Sequence, residues 1–227
     1  MATPELTAKI ETARATVARL LDGLVSACFT NSFQAEDMVV LHLLREHRPD
    51  IPVLFLETGY HFAEVYQYRD EMTKRYGLNL INLAKESVGE HEKKHGVLFR
   101  TQPNECCRLR KVVPLFEGLE NYDIWFTGLR RVQSPTRANL QVEDNFPLPS
   151  GKNIRKVSIL ADWSDKDVWT FAKEHGIPLL PLYDRGYTSI GCEPCTALPA
   201  DPNNLRSGRW AGAGKIECGI HIAEANH

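Results

Sequence analysis

Short apolar segments alternate with amphipathic segments through the middle of this 227-residue chain, and this alternation constrains the fold more than any other feature. Continuous apolar runs bounded by proline or glycine are typical of strands buried on both faces. The pattern predicts five such strands: LVSACFT, IPVLFLET, LNLINLA, YDIWFTG and IRKVSIL. Repeated strand–helix units imply an α/β fold, with a doubly wound, mostly parallel sheet and helices on both faces.

Start and stop signals bound the predicted helices. Thr3 is a suitable N-cap for a first amphipathic helix, and Ser164 is one for a later helix. Gly77 and Gly176 stand where two helices should end. After Tyr183 the periodicity disappears, and glycine, proline and polar residues dominate.

The composition is that of an ordinary globular protein. Hydrophobic residues make up 43% of the chain, and the formal net charge is −2. Such a balance provides no basic surface for nucleic acid or for an anionic membrane. No stretch approaches the roughly 18 to 20 apolar residues that span a bilayer, and the first residues lack the features of a signal peptide. We therefore expect a cytoplasmic protein with no nucleic-acid or membrane partner.

Four loops should meet at one edge of the sheet, because ligands of doubly wound folds bind outside the carboxyl ends of the strands. They contain TNSFQAED, LETGYHF, TGLRRVQSPTR and NECCRLRK. The third loop carries Arg130, Arg131 and Arg137, which suit a substrate with several negative charges. A solvated basic loop is the alternative for these arginines.

Four of the six cysteines form two pairs. Cys106 is followed by Cys107, and Cys192 and Cys195 form a CxxC in GCEPC. Four thiolates suit either tetrahedral zinc or an iron–sulfur cluster. Adjacent cysteines make an unusual zinc knuckle, but they can reach two corners of a cubane. Spacing leaves zinc and a cluster equally weighted, with unligated thiols a distant third.

The two other cysteines have different settings. Cys28 lies in an apolar strand, where a cysteine behaves as a small inert hydrophobe. Cys218 stands near the C-terminus, with Arg206, Arg209 and His221 nearby in sequence. Cations beside a thiol lower its pKa and can hold an anionic substrate, so Cys218 is a candidate nucleophile. An inconsequential surface thiol is the alternative.

Taken together, the motifs resemble assimilatory adenylyl-sulfate reductases of the phosphoadenylyl-sulfate reductase family. The resemblance extends over nearly the whole chain after the first helix. It rests on the segments SFQAEDMVVLH, LETGYHF, CCRLRKVVPL, TGLRRVQSPTR, GCEPC, GRW and ECGIH. One departure is Gln34, where many members have glycine.

The resemblance implies the fold, the cofactor and the site residues. The fold is the adenine nucleotide alpha-hydrolase-like one, with a nucleotide-binding domain over 1–200 and a flexible tail over 201–227. Members with both cysteine pairs carry a [4Fe-4S] cluster, so its ligands here would be Cys106, Cys107, Cys192 and Cys195, with Cys218 as nucleophile. Candidate substrate-binding residues are Ser32, Phe33, Thr58, Gly59, Lys111, Gly128, Arg131, Arg137, Arg206, Arg209 and His221.

The implied activity is the thioredoxin-dependent reduction of adenylyl sulfate to sulfite and AMP, through a Cys-S-sulfonate, in sulfate assimilation and cysteine biosynthesis. Glutaredoxin is an alternative reductant, the 3′-phosphorylated nucleotide an alternative substrate, and a homo-oligomer an open alternative for the quaternary state. A non-catalytic cluster-bearing nucleotide-binding protein is a further alternative. ATP-dependent adenylation is disfavoured, because TNSFQAEDM lacks the SGGxDS pyrophosphate loop.

Overall fold

A six-stranded sheet forms the centre of the computed structural model, which describes residues 2–85, 87–201 and 204–210. The strands are β1 (Ala27–Thr30), β2 (Val53–Leu56), β3 (Leu80–Leu83), β4 (Ile124–Phe126), β5 (Glu143–Pro147) and β6 (Asn153–Val157). Their order is β3-β2-β1-β4-β6-β5, and every pairing except β5 with β6 is parallel. The predicted mostly parallel α/β sheet is therefore confirmed.

Strand β5 was not predicted. It pairs antiparallel with β6 at the edge of the sheet, and of its five residues only Phe146 is buried. Charged residues and a terminal proline are common on edge strands, where one side of the ladder faces solvent. The segment EDNFP therefore lacks the apolar run that marked the other five strands.

Eight α-helices connect or cover the strands in the described part of the chain. They are α1 (Pro4–Leu21), α2 (Ala35–Arg45), α3 (Ala63–Tyr76), α4 (Ser87–His95), α5 (Leu98–Thr101), α6 (Pro103–Cys107), α7 (Val113–Leu119) and α8 (Asp165–Glu174). None of the described helices is both long enough and apolar enough to cross a membrane.

The predicted helix boundaries are confirmed at their caps. The Thr3 side chain accepts a hydrogen bond from the Leu6 N–H at the start of α1. Ser164 and Asp167 form a reciprocal capping box at the start of α8. Gly77 ends α3 with φ of 58°, in the left-handed region that glycine adopts without a steric penalty.

A π-helical turn, Arg108–Val112, joins α6 to α7 into one continuous rod. Pro114 stands just after it, at the start of α7. Proline has no N–H to donate and its ring crowds the carbonyl four residues earlier, so a wider turn relieves the contact. The turn carries Lys111 immediately after the paired cysteines.

The hydrophobic core has two main parts, one on each face of the sheet. The larger part includes buried residues of α1, α2, α3 and α8, and the smaller packs α7 against Cys28, Leu54 and Trp125. Cys28 is fully buried there, and burial raises the pKa of its thiol far above the ordinary range. This agrees with its predicted role as an inert core residue.

Candidate functional site

A cavity of about 880 Å³ opens at the carboxyl edge of the parallel strands. Its lining comes mainly from the segments that follow β1, β2 and β4, from Tyr183 and residues 186–191, and from residues 204–206 and 209–210. The volume lies in the range typical of small-molecule sites. The sheet edge chosen from the sequence is therefore where the structure has its large cavity.

The loop between β1 and α2 forms one wall of this cavity. The Asp37 carboxylate accepts hydrogen bonds from the Ser32 N–H at 2.7 Å and from the Ser32 hydroxyl at 2.6 Å. Burial, with the charge of Glu36 beside it, raises the pKa of Asp37 to about 7 despite those hydrogen bonds. Gly128 lies opposite, where an added Cβ would stand 2.0 Å from Asp37 Oδ1.

In the loop after β4, Arg130 and Arg131 differ in burial and in their ion-pair partners. Arg130 is 5% exposed, lines the cavity and pairs with Asp165 at 2.6 Å. Arg131 also lines the cavity, but its guanidinium pairs with Asp162 on the exposed side. Arg131 was predicted from the sequence as a substrate-binding residue. The structure gives Arg130 the more buried position, and neighbouring arginines in a loop carry no sequence signal that would separate them.

A polar network on the cavity wall was also missed by sequence reasoning. Gln133 donates from Nε2 to Glu36 at 2.6 Å and accepts from Arg137 and from the Arg130 N–H. Tyr183 accepts a hydrogen bond from the Ala35 N–H, and burial raises its pKa strongly. Glutamine and tyrosine are too common in loops for their positions alone to have indicated these contacts.

All four paired cysteines line a second, smaller cavity. Cys106 and Cys107 end α6 and are buried, whereas Cys192 and Cys195 bracket a short turn and are partly exposed. Burial raises the pKa of the Cys106 thiol to about 11, and Cys192 adds to the effect. No group of three or more His, Cys, Asp or Glu residues within 2–85, 87–201 and 204–210 is arranged to hold a metal ion.

The surroundings of this small cavity contain donors that suit an acceptor between the thiols. Arg110 lines the cavity, and its Nε is buried without a hydrogen-bond partner among the described residues. Its other nitrogens donate to the Thr58 carbonyl at 2.7 Å and to Glu92 at 2.6 Å. A buried orphan donor beside four soft thiol ligands fits a sulfur-rich, negatively charged group.

The two cavities share a wall. Lys111, Arg209 and Trp210 line both of them. The Arg209 guanidinium carbon lies 4.4 Å from the centroid of the Trp210 ring, which is 5% exposed. Two cations, Lys111 and Arg209, therefore stand between the large cavity and the cavity bounded by cysteines.

Ten of the eleven predicted substrate residues lie in the described part of the chain, where they fall into three sets. The large cavity is lined by Ser32, Lys111, Gly128, Arg131, Arg137, Arg206 and Arg209. Thr58 lies beside the cysteines instead, accepting from Cys192 Sγ at 3.4 Å, and a Cβ on Gly59 would meet Arg110. The Phe33 ring is buried against Phe55 and Tyr68. Cys218 and His221 lie outside the described residues.

Comparison with known proteins decides the family. The Phosphoadenosine phosphosulfate reductase domain matches residues 26–198. An adenosine 5′-phosphosulfate reductase of Rhodococcus opacus (strain B4) is 46% identical over 204 residues, covering 86% of this chain and 80% of that protein. This chain belongs to the phosphoadenosine phosphosulfate reductase family. The resemblance inferred from the motifs is thereby confirmed.

Solved structures of other proteins show how widely this reductase family shares its fold. The phosphoadenylyl-sulfate reductase of Candida auris superposes with a TM-score of 0.69 at 23% identity, over 87% of this chain and 98% of that one. An FMN adenylyltransferase of Candida glabrata gives a TM-score of 0.68 at 16% identity, over 88% and 70%. At such identities the likeness concerns the fold alone.

Proposed function

We propose that this family member reduces adenosine 5′-phosphosulfate to sulfite and AMP, with thioredoxin or glutaredoxin as the electron donor. The observation that carries the proposal is the shared wall: Lys111 and Arg209 face both the large cavity and the four cysteines. Relatives that carry the name adenosine 5′-phosphosulfate reductase, 43 to 46% identical to this chain, support the choice of substrate. The predicted boundary between domain and tail at residue 200 stays a prediction.

In this proposal Cys218 is the nucleophile. Its thiolate attacks the sulfur of the substrate, a sulfur–sulfur bond forms, and the bond from that sulfur to the phosphate oxygen breaks to release AMP. A thiolate of the reductant then attacks Cys218 Sγ, and sulfite leaves with the electron pair. The second thiol of the reductant resolves the mixed disulfide, so the reductant is oxidised by two electrons.

The cavity cations make this attack feasible, because a thiolate approaching an anion meets charge repulsion. Lys111, Arg137, Arg206 and Arg209 line the cavity and would offset the charges of the phosphosulfate. Cations fixed in place before the reaction typically contribute several kcal/mol, by analogy with about 3 kcal/mol for one oxyanion-hole donor. His221 is proposed to help position the tail.

The four paired cysteines would hold a [4Fe-4S] cluster, which would supply structural and electrostatic support beside the substrate. Arg110 offers its buried Nε to a sulfur acceptor there, and Glu92 holds that guanidinium in place. Burial alone would raise the pKa of Glu92, but hydrogen bonds from Tyr60 and Arg110 outweigh it and lower the pKa. Glu92 therefore stays charged and keeps Arg110 aimed at the cavity.

A product assay tests the proposal. The protein is purified without oxygen, analysed for iron and sulfide, and supplied with adenosine 5′-phosphosulfate, thioredoxin, thioredoxin reductase and NADPH. We expect a brown protein that forms sulfite and AMP, and slower turnover of the 3′-phosphorylated nucleotide. A colourless protein that holds zinc would contradict the cluster, and faster turnover of the 3′-phosphorylated nucleotide would reassign the substrate.

Two cysteine variants provide the matched comparison. Cys218→Ser should abolish sulfite formation while retaining iron and AMP binding. Cys28→Ala should remain active, because Cys28 lies in the core away from both cavities. Sulfite formation by Cys218→Ser at the normal rate would overturn the nucleophile assignment.

A further inference from the structure

A short segment, residues 189–191, lies between the two cavities. All three residues line the large cavity, and Cys192, which follows directly, lines the cysteine cavity. The Gly191 N–H donates to Thr196 Oγ1 at 3.1 Å, and that hydroxyl donates to the Cys192 carbonyl at 2.9 Å. The position of the 189–191 segment therefore determines where the second cysteine pair begins.

Gln34 holds this segment from the side of the nucleotide loop. Its Oε1 accepts from the Ile190 N–H at 2.8 Å, and its Nε2 donates to Ser32 Oγ at 3.0 Å. Ser32 in turn donates to Asp37. Gln34 occupies the N-cap position of α2 but makes no capping hydrogen bond, unlike the serine or aspartate usual there. The amide oxygen and the amide nitrogen of its side chain bind Ile190 and Ser32 instead.

Arg209 holds the same segment from the other side. Its Nη1 donates to Ser189 Oγ at 3.3 Å and to the Ile190 carbonyl at 3.2 Å. A Cβ on Gly191 would stand 2.2 Å from Arg209 Nη2, so the guanidinium packs directly on the glycine backbone. A shift of the segment would therefore displace a cation that both cavities share.

We propose that Gln34 is a positioning residue that fixes the 189–191 segment, and that through it the nucleotide loop sets the placement of Arg209 and Cys192. The inference deepens the proposed function, since it takes the large cavity to bind an adenosine nucleotide. Ser32 and Asp37 form one end of the connection, and the Ile190 amide forms the other. A ligand that orders the β1–α2 loop would thereby order the segment next to the cysteines.

Hydrogen–deuterium exchange on the full-length protein measures this connection directly, because the Ile190 N–H is itself the donor. Three variants are compared with wild type: Gln34→Met, which keeps the length but makes neither bond; Gln34→Glu, which keeps the acceptor for Ile190; and Gln67→Met, at an exposed position on α3. Exchange of the 187–193 region is followed with and without AMP. Melting curves check that each variant is folded.

In Gln34→Met we expect exchange at the Ile190 amide to rise about fivefold, the ratio that loss of one typical hydrogen bond produces. Gln34→Glu should restore slow exchange, and Gln67→Met should leave it unchanged. AMP should slow exchange of the region in wild type but much less in Gln34→Met. If Gln34 only filled space, Gln34→Met would show the same exchange at the Ile190 amide as wild type.

Two results would overturn the inference: unchanged exchange at Ile190 in Gln34→Met, or equal protection by AMP in that variant and in wild type. Failure of the proposed function looks different. In that case AMP would slow exchange in no part of the wild-type cavity. The Gln34 variants compared without AMP would still show whether the hydrogen bond to the Ile190 amide exists.

Discussion

The contact between Gly128 and Asp37 should make the large cavity intolerant of one added methyl group. The φ of Gly128 is not in the left-handed region, so its backbone accepts alanine. The new Cβ, however, would lie 2.0 Å from Asp37 Oδ1 and 3.3 Å from the Asp37 backbone nitrogen. The carboxylate oxygen would have to move by about 1.4 Å or more to reach ordinary contact distance.

That movement has a cost that follows from the surroundings of Asp37. The side chain is buried and held by two hydrogen bonds from Ser32, so it cannot turn toward solvent without losing them. We expect Gly128→Ala to lower the free energy of unfolding by about 2 kcal/mol, within the range for overpacked sites. AMP affinity should fall at least about tenfold, because the loop that carries Ser32 moves with the carboxylate.

A double-mutant cycle isolates the contact. In an Asp37→Ala background the clashing oxygen is absent, so adding Gly128→Ala should cost less than about 0.5 kcal/mol in urea unfolding. Gly89→Ala is the control for the alanine itself, since nothing lies within 4 Å of a Cβ there. Equal penalties for Gly128→Ala in both backgrounds would refute the reasoning.

Four further substitutions test the charges of the large cavity and the N-cap of α8. The pKa of Asp37 is raised from 3.8 to about 7, so the folded protein loses stability as the pH rises from about 4 to 7 and the buried carboxylate becomes charged. Asp37→Asn removes this charge, so the stability that it gains over wild type in urea unfolding should grow over the same pH window. AMP affinity, by calorimetry, should rise as wild-type Asp37 is protonated, and less so in Asp37→Asn. Lys111→Ala should raise KM for adenosine 5′-phosphosulfate about tenfold or more, whereas Arg131→Ala, whose guanidinium already pairs with Asp162, should change it less than about threefold in steady-state kinetics. Ser164→Ala should lower the unfolding free energy by about 1 kcal/mol in urea without changing AMP affinity.

The sequence predicted those parts of the fold that depend on local pattern. Apolar runs marked the five parallel strands, and Thr3, Ser164 and Gly77 marked helix ends, because capping and burial leave a signal in a few adjacent residues. Strand β5 left no such signal, since its pairing with β6 is decided by tertiary context and four of its five residues are not buried.

The candidate site was predictable where residue type alone implied chemistry. The two cysteine pairs were recognisable from their spacing in the sequence, and all four cysteines line one cavity, as a shared site requires. Arg130 is the buried arginine of the 130–131 pair, and it pairs with Asp165, which lies 35 residues away at the start of α8. The contact of Gln34 with Ile190 joins residues that are 156 positions apart. Such long-range contacts have no periodic or compositional trace in the chain.

The covalent step at Cys218 is the central claim, and peptide mapping by mass spectrometry tests it most directly. The anaerobically purified protein is mixed with adenosine 5′-phosphosulfate without any reductant, digested and mapped. We predict an added mass of about 80 Da, that of one SO₃ group, on the peptide with Cys218, and its release as sulfite when thioredoxin is added. Sulfite formation with no such adduct, or an adduct on a different cysteine, would contradict the proposed mechanism.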